Sequence, residues 1–329
     1  MIRTATDNLQ PKLMLVISRA LAALRPSLIA YLVVNASRLS GGMENPITFC
    51  NLLFVGNMCA AIGVALWFGI TPILGELKKL SPKILVGLFI NGCLAALLSS
   101  LIFIGLQYTS VTNAVLLSRF GPVLYALAGA MIFGKRILKW EWIGFSFITL
   151  GVIAIILKTN MFEINRGDLF ILASSCVYAA TSIIGKIMLS QKNSVKVVVF
   201  SRNFISATIF FIIASVLFGP SHFGDTFAGQ LWLIMAIYAV LIIILDQFLW
   251  YGALEKLDSR TVAKWTVLSP VFGVLFAFLL NGEQPSLTQV IGFVVIMGGV
   301  LLTNFSKQKP QTAMKTEMAV SGESSASAA

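Results

Sequence analysis

Long apolar runs separated by short polar breaks are the feature that most constrains this chain. A helix needs about 17 to 25 mostly apolar residues to cross a bilayer. Runs of that length occur at 20–39, 47–70, 84–106, 113–133, 140–158, 168–189, 195–219, 230–251, 262–280 and 286–305. Only 11% of the residues are charged, whereas soluble domains carry about 25%. The pattern predicts an all-α integral membrane protein of about ten transmembrane helices.

The two ends of the chain differ from its apolar middle. Arg19, Arg25 and Pro26 interrupt the first run, so its start is open to extension toward the N-terminus. We expect residues 1–19 to form a cytoplasmic segment. Across 306–329 the composition changes to Lys, Gln, Ser, Glu and Ala, which bury too little apolar surface to fold. This segment is expected to be a disordered cytoplasmic tail.

Lysine and arginine are distributed unevenly between alternate breaks, and such a bias marks the cytoplasmic side of a membrane protein. The richer side carries Lys78, Lys79, Lys83, Lys135, Arg136, Lys139, Lys186, Lys192, Lys196, Lys256 and Arg260. We therefore expect a multi-pass protein of the cell inner membrane with both termini in the cytoplasm. The net charge of +11 reflects this bias. Because the basic residues build no continuous face, the expected partner is the lipid bilayer and not nucleic acid.

The second half of the chain repeats the first at a constant offset of 148 residues. Ten residues of the first copy have an identical residue 148 positions later: Pro122, Val123, Leu127, Gly134, Ile143, Gly144, Phe145, Ile148, Gly151 and Val152. The matched Gly and Pro residues favour a duplication, with copies at 20–158 and 159–305. Since each copy has five spans, the second must enter the membrane inverted. The loops agree, because KRILK follows Gly134 and EQPSL follows Gly282.

The paired segments GPVLYALAGAMIFGKRILKWEWIGFSFITLGV and SPVFGVLFAFLLNGEQPSLTQVIGFVVIMGGV resemble the two repeats of the drug/metabolite transporter superfamily, EamA type. The resemblance covers most of residues 20–305. It implies a ten-helix permease that exports or exchanges amino acids, nucleotide derivatives, sugar phosphates or other metabolites. Inverted repeats of this kind are typical of transporters that use alternating access, with the substrate site near mid-membrane.

Ionisable residues well inside a span are functional candidates, because an unpaired charge in hydrocarbon costs several kcal/mol. Arg119 and Asp246 lie deep in the fourth and eighth predicted spans, and Lys264 lies just inside the ninth. We expect Arg119 and Lys264 to bind an anionic part of a substrate, and Asp246 to hold a substrate amine or a coupling proton. The alternatives are that Arg119 and Asp246 neutralise one another, or that the basic side chains extend to the interface.

Uncharged polar residues inside the spans form a second group of candidates. The substrate-binding candidates among them are Ser118, Tyr178, Gln247, Ser99 and Asn57. Such residues are also routine hydrogen-bonding groups between membrane helices.

Two prolines lie at matched places in the fourth and ninth predicted spans. Because proline removes a backbone hydrogen bond and bends a helix, Pro122 and Pro270 are candidate hinges for alternating access. A static kink that improves packing is an equally good interpretation.

Catalysis is not expected, because the sequence lacks the residues that it needs. His222, the single histidine, lies in a predicted outer loop, and the four cysteines lie within apolar stretches without metal-ligand spacing. We expect no enzyme, no cofactor and no metal, and a monomer or homodimer that moves a small organic metabolite. A channel, scaffold or sensor built on the same bundle remains the alternative. Proton-driven export, exchange and facilitated diffusion are all compatible with the sequence.

Overall fold

A computed structural model of the protein describes residues 3–39, 49–133, 137–159, 165–190, 194–219, 229–249, 253, 265 and 268–304. Within these residues the regular structure is helical throughout, which confirms the all-α prediction. The helices are α1 (Arg3–Val34), α2 (Ala36–Leu39), α3 (Phe49–Phe68), α4 (Ile70–Lys78), α5 (Pro82–Tyr108), α6 (Val111–Leu117), α7 (Phe120–Phe133), α8 (Lys139–Thr159), α9 (Arg166–Ser190), α10 (Val195–Phe218), α11 (Gly229–Tyr238), a π-helix (Ala239–Leu245), α12 (Leu268–Asn281) and α13 (Leu287–Asn304).

Seven helices among the described residues are long and apolar enough to cross a membrane, and an eighth is counted if the bent pair α3 and α4 forms one span. Two further apolar helices, α12 and α13, are shorter. Residues 254–264, which include the start of the predicted ninth span, lie outside the described residues, as does the tail after residue 304. The total of ten spans therefore stays a prediction.

The first apolar helix extends before residue 20, an extension that the sequence left open. Its apolar part starts at Gln10, before the predicted start at residue 20. Leu15 and Ser18 are fully buried, although both belong to the segment expected to be cytoplasmic. The helix continues through Arg19, Arg25 and Pro26. Both arginines find a partner inside the bundle, because the carboxylate of Asp246, from the second half of the chain, lies beside them.

A sharp bend separates α3 from α4. Gly69 joins them with a φ of 80°, a backbone conformation that glycine adopts easily. The two helix axes meet at 96°, so α4 runs across the end of α3 and does not continue it. Ile73 is the buried residue of α4, whereas Lys78 is exposed, which makes α4 a short amphipathic helix.

Helices from before residue 160 pack mainly against helices from after it. Close packing joins α8 with α13, α5 with α9, α3 with α10, and α1 with α12. The largest apolar cluster lies where α3 meets α11 and the π-helix, around Leu52, Val55, Met235 and Ile242. The interior of the bundle is thus an interface between the two parts of the chain.

Four glycines form the contact between α8 and α13, which we call the glycine seam: Gly144, Gly151, Gly292 and Gly299. A Cβ atom on Gly144 would lie 2.5 Å from the carbonyl oxygen of Gly299, and one on Gly151 would lie 3.3 Å from that of Gly292. Because rising numbers on α8 oppose falling numbers on α13, the two helices are antiparallel. Glycine lets the backbones approach this closely, as small residues do at membrane helix interfaces.

The contacts that flank the seam occur twice with the helices exchanged. Ile148 lies against Gly299, and its repeat counterpart Ile296 lies against Gly151. The same holds about two turns further along, where Ile155 lies against Gly292 and Thr303 against Gly144. Each helix therefore presents the same surface to the other.

Candidate functional site

A group of charged and polar side chains joins α1 to the end of the π-helix; we call it the ionic centre, and it consists of Ser18, Arg19, Arg25 and Asp246. The Ser18 hydroxyl donates to Asp246 Oδ1 at 2.6 Å, and Arg19 Nη2 lies 3.4 Å from the same oxygen. Arg25 Nη2 lies 3.9 Å from Asp246 Oδ2. Arg19 Nη2 also donates to Ser18 Oγ at 2.9 Å. Asp246 thus has α1 cations, and not Arg119, as its neighbours.

The π-helix places Asp246 at this point of the bundle. It covers Ala239–Leu245, directly before the aspartate. The wider turn of a π-helix is rare and occurs frequently at functional sites. Arg25 Nη2 donates to the carbonyl oxygen of Ile242 at 3.0 Å, so one arginine contacts both the π-helix backbone and the carboxylate that follows it.

The ionic centre is neutralised only loosely. Asp246 is 7% exposed, and a carboxylate that is removed from water needs nearby cations and donors. Strong arginine–carboxylate hydrogen bonds measure about 2.7 to 2.9 Å, whereas the arginine distances here are 3.4 and 3.9 Å. The Nε atom of Arg25 is buried without a hydrogen-bond partner among the described residues. The short contact is the one from Ser18, a neutral donor.

Arg119 occupies a break in the span formed by α6 and α7. α6 ends at Leu117 and α7 begins at Phe120. Its Nη2 atom lies 3.4 Å from Ser118 Oγ, and its Nε atom is buried with no hydrogen-bond partner among the described residues. Across those residues, ion pairs are formed by Arg19, Arg25 and Lys196 but not by Arg119. Within the described part of the chain, this deep guanidinium therefore has no carboxylate beside it.

Tyr178 brings a phenol to the same place. Its ring lies against the backbone of Gly121, where a Cβ atom would be 2.9 Å from Tyr178 Cδ1. Arg119 interacts electrostatically with Tyr178 and Arg19, and Tyr178 does so with Tyr125. Tyr178 is 43% exposed. A guanidinium and two phenols, from α7, α9 and the turn before α7, therefore belong to one polar neighbourhood.

The remaining polar candidates are distributed differently. Asn57 Nδ2 donates within its own helix, to Leu53 O at 2.7 Å. Ser118 Oγ donates to Val115 O at 2.8 Å and faces Arg119. Gln247 follows Asp246, and its Oε1 atom is buried without a partner among the described residues.

Three further candidates are placed as follows. Ser99 is half-buried on α5. Pro122 and Pro270 each occupy the third position of their helices, α7 and α12, where the backbone N–H of a helix has no intrahelical partner to lose. Lys264 lies outside the described residues.

A second polar cluster lies at the opposite end of the bundle, where Glu283 closes the start of α6. Its Oε1 atom accepts from Val111 N at 2.7 Å, and its Oε2 atom accepts from Thr112 N at 2.8 Å and Thr112 Oγ1 at 2.7 Å. Both oxygens therefore accept hydrogen bonds from backbone N–H groups that have no intrahelical partner at the start of a helix. Glu283 precedes α13, so this contact joins the two parts of the chain.

Gln289 on α13 extends this outer closure, the name we give to the contacts of Glu283 and Gln289 with residues 110–113. Its Nε2 atom donates to Asn113 Oδ1 at 2.7 Å and to Ser110 Oγ at 3.2 Å. Its Oε1 atom accepts from Ser286 N at 2.8 Å. The amide is thus satisfied on both sides, unlike the guanidinium of Arg119.

Sequence reasoning proposed Arg119, Tyr178 and Asp246 as site residues but did not propose Arg19 and Arg25, which lie beside Asp246. In the sequence the two arginines only interrupt a weak span, since a single helix offers them no counter-ion. Their partner lies 227 residues away from Arg19, a pairing that no local pattern shows.

The sequence profile of the EamA-like transporter family matches residues 52–157 and 165–305. These two matches cover most of the chain, one on each side of the break between α8 and α9. The chain belongs to the EamA-like transporter family. It is accordingly a multi-pass membrane protein of a transporter family, in agreement with the resemblance noted in the sequence.

Relatives of this EamA-like protein carry transporter names. An uncharacterized transporter of Synechocystis sp. is 29% identical over 287 residues, which cover 83% of this chain and 81% of the relative. A probable amino-acid metabolite efflux pump of Salmonella typhimurium is 24% identical over 56% of this chain and 64% of its own. A riboflavin transporter of Fusobacterium nucleatum is 22% identical over 76% of this chain and 86% of its own.

The fold also resembles one that has been solved by crystallography. A protein of known crystal structure superposes with a TM-score of 0.53 at 19% identity, over 87% of this chain and 96% of the other. At this identity the similarity concerns the fold alone.

Proposed function

We propose that this EamA-like protein is a secondary transporter that moves a small organic metabolite with an anionic group across the cell inner membrane by alternating access. The observation that carries the proposal is Arg119, which has no carboxylate partner among the described residues. Asp246 already lies between Arg19 and Arg25. Because an unpaired charge in the bundle is costly, an anionic substrate group is the fitting counter-ion for Arg119.

The neighbours of Arg119 narrow the class of substrate. The phenol groups of Tyr178 and Tyr125 offer hydrogen bonds, and their rings offer apolar surface. Lys264 is proposed as a second cation from the other half of the chain. An amino acid or a phosphorylated metabolite suits this combination. A first panel of test compounds contains these two classes, together with amino-acid derivatives and riboflavin, which the names of the Salmonella and Fusobacterium relatives suggest.

Two inverted five-helix repeats are part of the proposal. The antiparallel glycine seam supports them, since contacts that recur with the two helices exchanged are what a two-fold axis in the membrane plane produces. Because repeats of this kind place the substrate near their common interface, the break at Arg119 is a suitable position for the site.

Alternating access would require one end of the bundle to open while the other stays closed. The outer closure holds the start of α6 against Glu283, which lies between α12 and α13, and against Gln289 on α13. We take it as the contact that must break for release on that side, with Pro122 and Pro270 as bending points.

The proposed topology places both termini in the cytoplasm and residue 283 on the outer face. Single cysteines at positions 135 and 283, in a background without the four native cysteines, can be labelled from either side of intact vesicles. We expect labelling from opposite sides. Labelling of both from one side would remove the inverted repeat and the carrier mechanism together.

Flux in proteoliposomes tests the function directly. Compounds from the panel are first ranked by thermal shift, because a ligand that binds the folded state raises its stability. Uptake of the best ligand should saturate, and Arg119→Gln should raise its KM about 10- to 100-fold, as expected for a lost hydrogen bond to a charged group. Arg38→Gln, which removes an exposed arginine, is the matched control and should leave KM unchanged.

Other outcomes distinguish the rival functions. Conductance that does not saturate indicates a channel, and ligand binding without flux indicates a sensor or scaffold. Within transport, flux driven by an imposed pH gradient indicates proton coupling, whereas flux that requires substrate on both sides indicates exchange.

A further inference from the structure

An apolar groove opens on the side of the bundle near α4, away from Arg119 and the ionic centre. Its volume is about 420 Å³, within the range of about 300 to 1,000 Å³ for ligand sites. The groove lies between α4, α5 and α10, and its walls include Leu74, Leu77, Leu85, Leu88, Phe200 and Phe204. The side chains favour a hydrocarbon chain as the occupant.

One polar group in the groove lacks a partner. Ser201 on α10 lines it, and the side chain is only 6% exposed. Its Oγ atom has no hydrogen-bond partner among the described residues. A buried hydroxyl without a partner costs about 1 to 3 kcal/mol. Because this oxygen is closed to solvent, the surface that the groove offers to an occupant is apolar.

Positive charge collects at the mouth of the groove. Lys78 and Lys79 end α4, and Lys83 begins α5, whose Leu85 and Leu88 form the wall. All three lysines are exposed. The nearby carboxylate, Glu76, is occupied by other groups.

Two residues at the start of α10 bind the carboxylate of Glu76. Lys196 Nζ lies 2.6 Å from Glu76 Oε1, and the Ser194 hydroxyl donates to Glu76 Oε2. No ion pair to Lys78, Lys79 or Lys83 is formed by the residues that the structure describes. The mouth of the groove therefore keeps an unneutralised positive charge.

We propose that this groove binds an anionic phospholipid of the cytoplasmic leaflet. An acyl chain lies along the leucine and phenylalanine walls, and the lysines contact the phosphate and headgroup. The bend of 96° between α3 and α4 fits this assignment, because it turns the amphipathic α4 into the plane where headgroups meet acyl chains. Lysines near an anionic leaflet each contribute to such binding.

The test is a titration of the purified full-length protein followed by native mass spectrometry. Phosphatidylglycerol and phosphatidylcholine with identical acyl chains are compared. The wild-type protein should bind phosphatidylglycerol more tightly. The variant Lys78→Gln/Lys79→Gln/Lys83→Gln should lose this preference, with affinity falling about fivefold per lysine and on the order of a hundredfold in total, while its affinity for phosphatidylcholine is unchanged.

Two further variants separate the parts of the site. Leu74→Trp should weaken the binding of both lipids by filling the groove. The control Lys135→Gln/Arg136→Gln/Lys139→Gln removes the same charge from another segment predicted to be cytoplasmic, and it should keep the preference.

Three results would overturn the proposal. One is equal affinity of the wild-type protein for the two lipids. Another is a preference that survives loss of the three lysines. The third is a dimer of the protein that excludes phosphatidylglycerol, which would assign the groove to a second copy of the chain. Size-exclusion profiles of each variant show whether it is folded, and none of these results bears on Arg119.

Discussion

The glycine seam and the ionic centre both join the two parts of the chain, but they do so by opposite means. In the seam the two backbones pack so closely that a Cβ atom on Gly144 would lie 2.5 Å from the carbonyl oxygen of Gly299. In the ionic centre, Asp246 meets Arg19 and Arg25 at 3.4 and 3.9 Å. Tight apolar packing resists change, whereas loosely paired charges can exchange partners. The comparison indicates a fixed contact in one part of the bundle and a site that can rearrange in another.

Removing the carboxylate from the ionic centre should have the largest effect. Asp246→Asn removes the carboxylate that Arg19 and Arg25 approach at 3.4 and 3.9 Å. Breaking a buried pair costs about 3 to 5 kcal/mol, and we expect a loss near the lower end of this range because the Arg25 side chain is 38% exposed. Thermal unfolding in detergent measures it. Flux assays of the same variant show whether proton dependence disappears, as expected if Asp246 carries a coupling proton.

A double variant supplies the control for this prediction. Arg19→Gln combined with Asp246→Asn should be more stable than the sum of the single changes predicts, because the interaction between these two residues is then removed only once, while Arg25 is the same in all three variants. Simple additivity would mean that the two residues do not depend on one another.

The seam should respond to a single methyl group. Gly299→Ala places a Cβ atom 2.6 Å from the carbonyl oxygen of Gly144 and 2.9 Å from the backbone nitrogen of Ile148. Since both neighbours are backbone atoms, we expect a loss of about 3 kcal/mol, near the upper end of overpacking costs. The matched control is Gly298→Ala on the same helix, where a Cβ atom meets nothing within 4 Å. Equal melting temperatures for the two variants would show that the seam is not tightly packed.

A change in the outer closure should have an intermediate effect on stability. Glu283→Gln replaces one acceptor oxygen with a donor that faces the N–H groups of Val111 or Thr112. We expect a loss of about 1.5 kcal/mol in thermal stability, together with faster outward opening in single-molecule fluorescence. Gln284→Ala, at the neighbouring position, should change neither. If opening were unaffected by Glu283→Gln, the closure would not control access.

The smallest effect should come from Glu76, a charged contact that water reaches. The hydrogen bond from Lys196, followed by that from Ser194, lowers the pKa of Glu76 below its ordinary value of 4.5. A lowered folded-state pKa stabilises the protein above the ordinary value, and this stabilisation disappears as the pH falls through the folded pKa. Exposure and salt reduce its size.

Melting temperatures at several pH values check the Glu76 prediction. The wild-type protein should melt slightly above Glu76→Gln at pH 7, and the difference should vanish in acid below the ordinary pKa of 4.5. A difference that grows in acid would mean that folding raises the pKa of Glu76 and does not lower it.

The sequence predicted the helical class, the transporter family and several residues of the polar region, because hydropathy and deep charges follow from composition along a single span. The glycines of the seam were visible as repeat matches, although which glycine faces which was not. The π-helix before Asp246 has no recognised sequence signature. The partners of Asp246 were missed because Arg19 and Arg25 look unfavourable until the opposite helix is in place.

The distance along the chain between Arg19 and Asp246 has a consequence for synthesis. The two residues are separated by 227 positions, which take on the order of 10 to 45 s to translate at about 5 to 20 residues per second. During that time α1 carries two arginines without the carboxylate that later receives them. Stable insertion of the first helix must therefore wait until nearly the whole protein has been synthesised. Until Asp246 is available, the insertion machinery or the membrane surface has to hold the first helix.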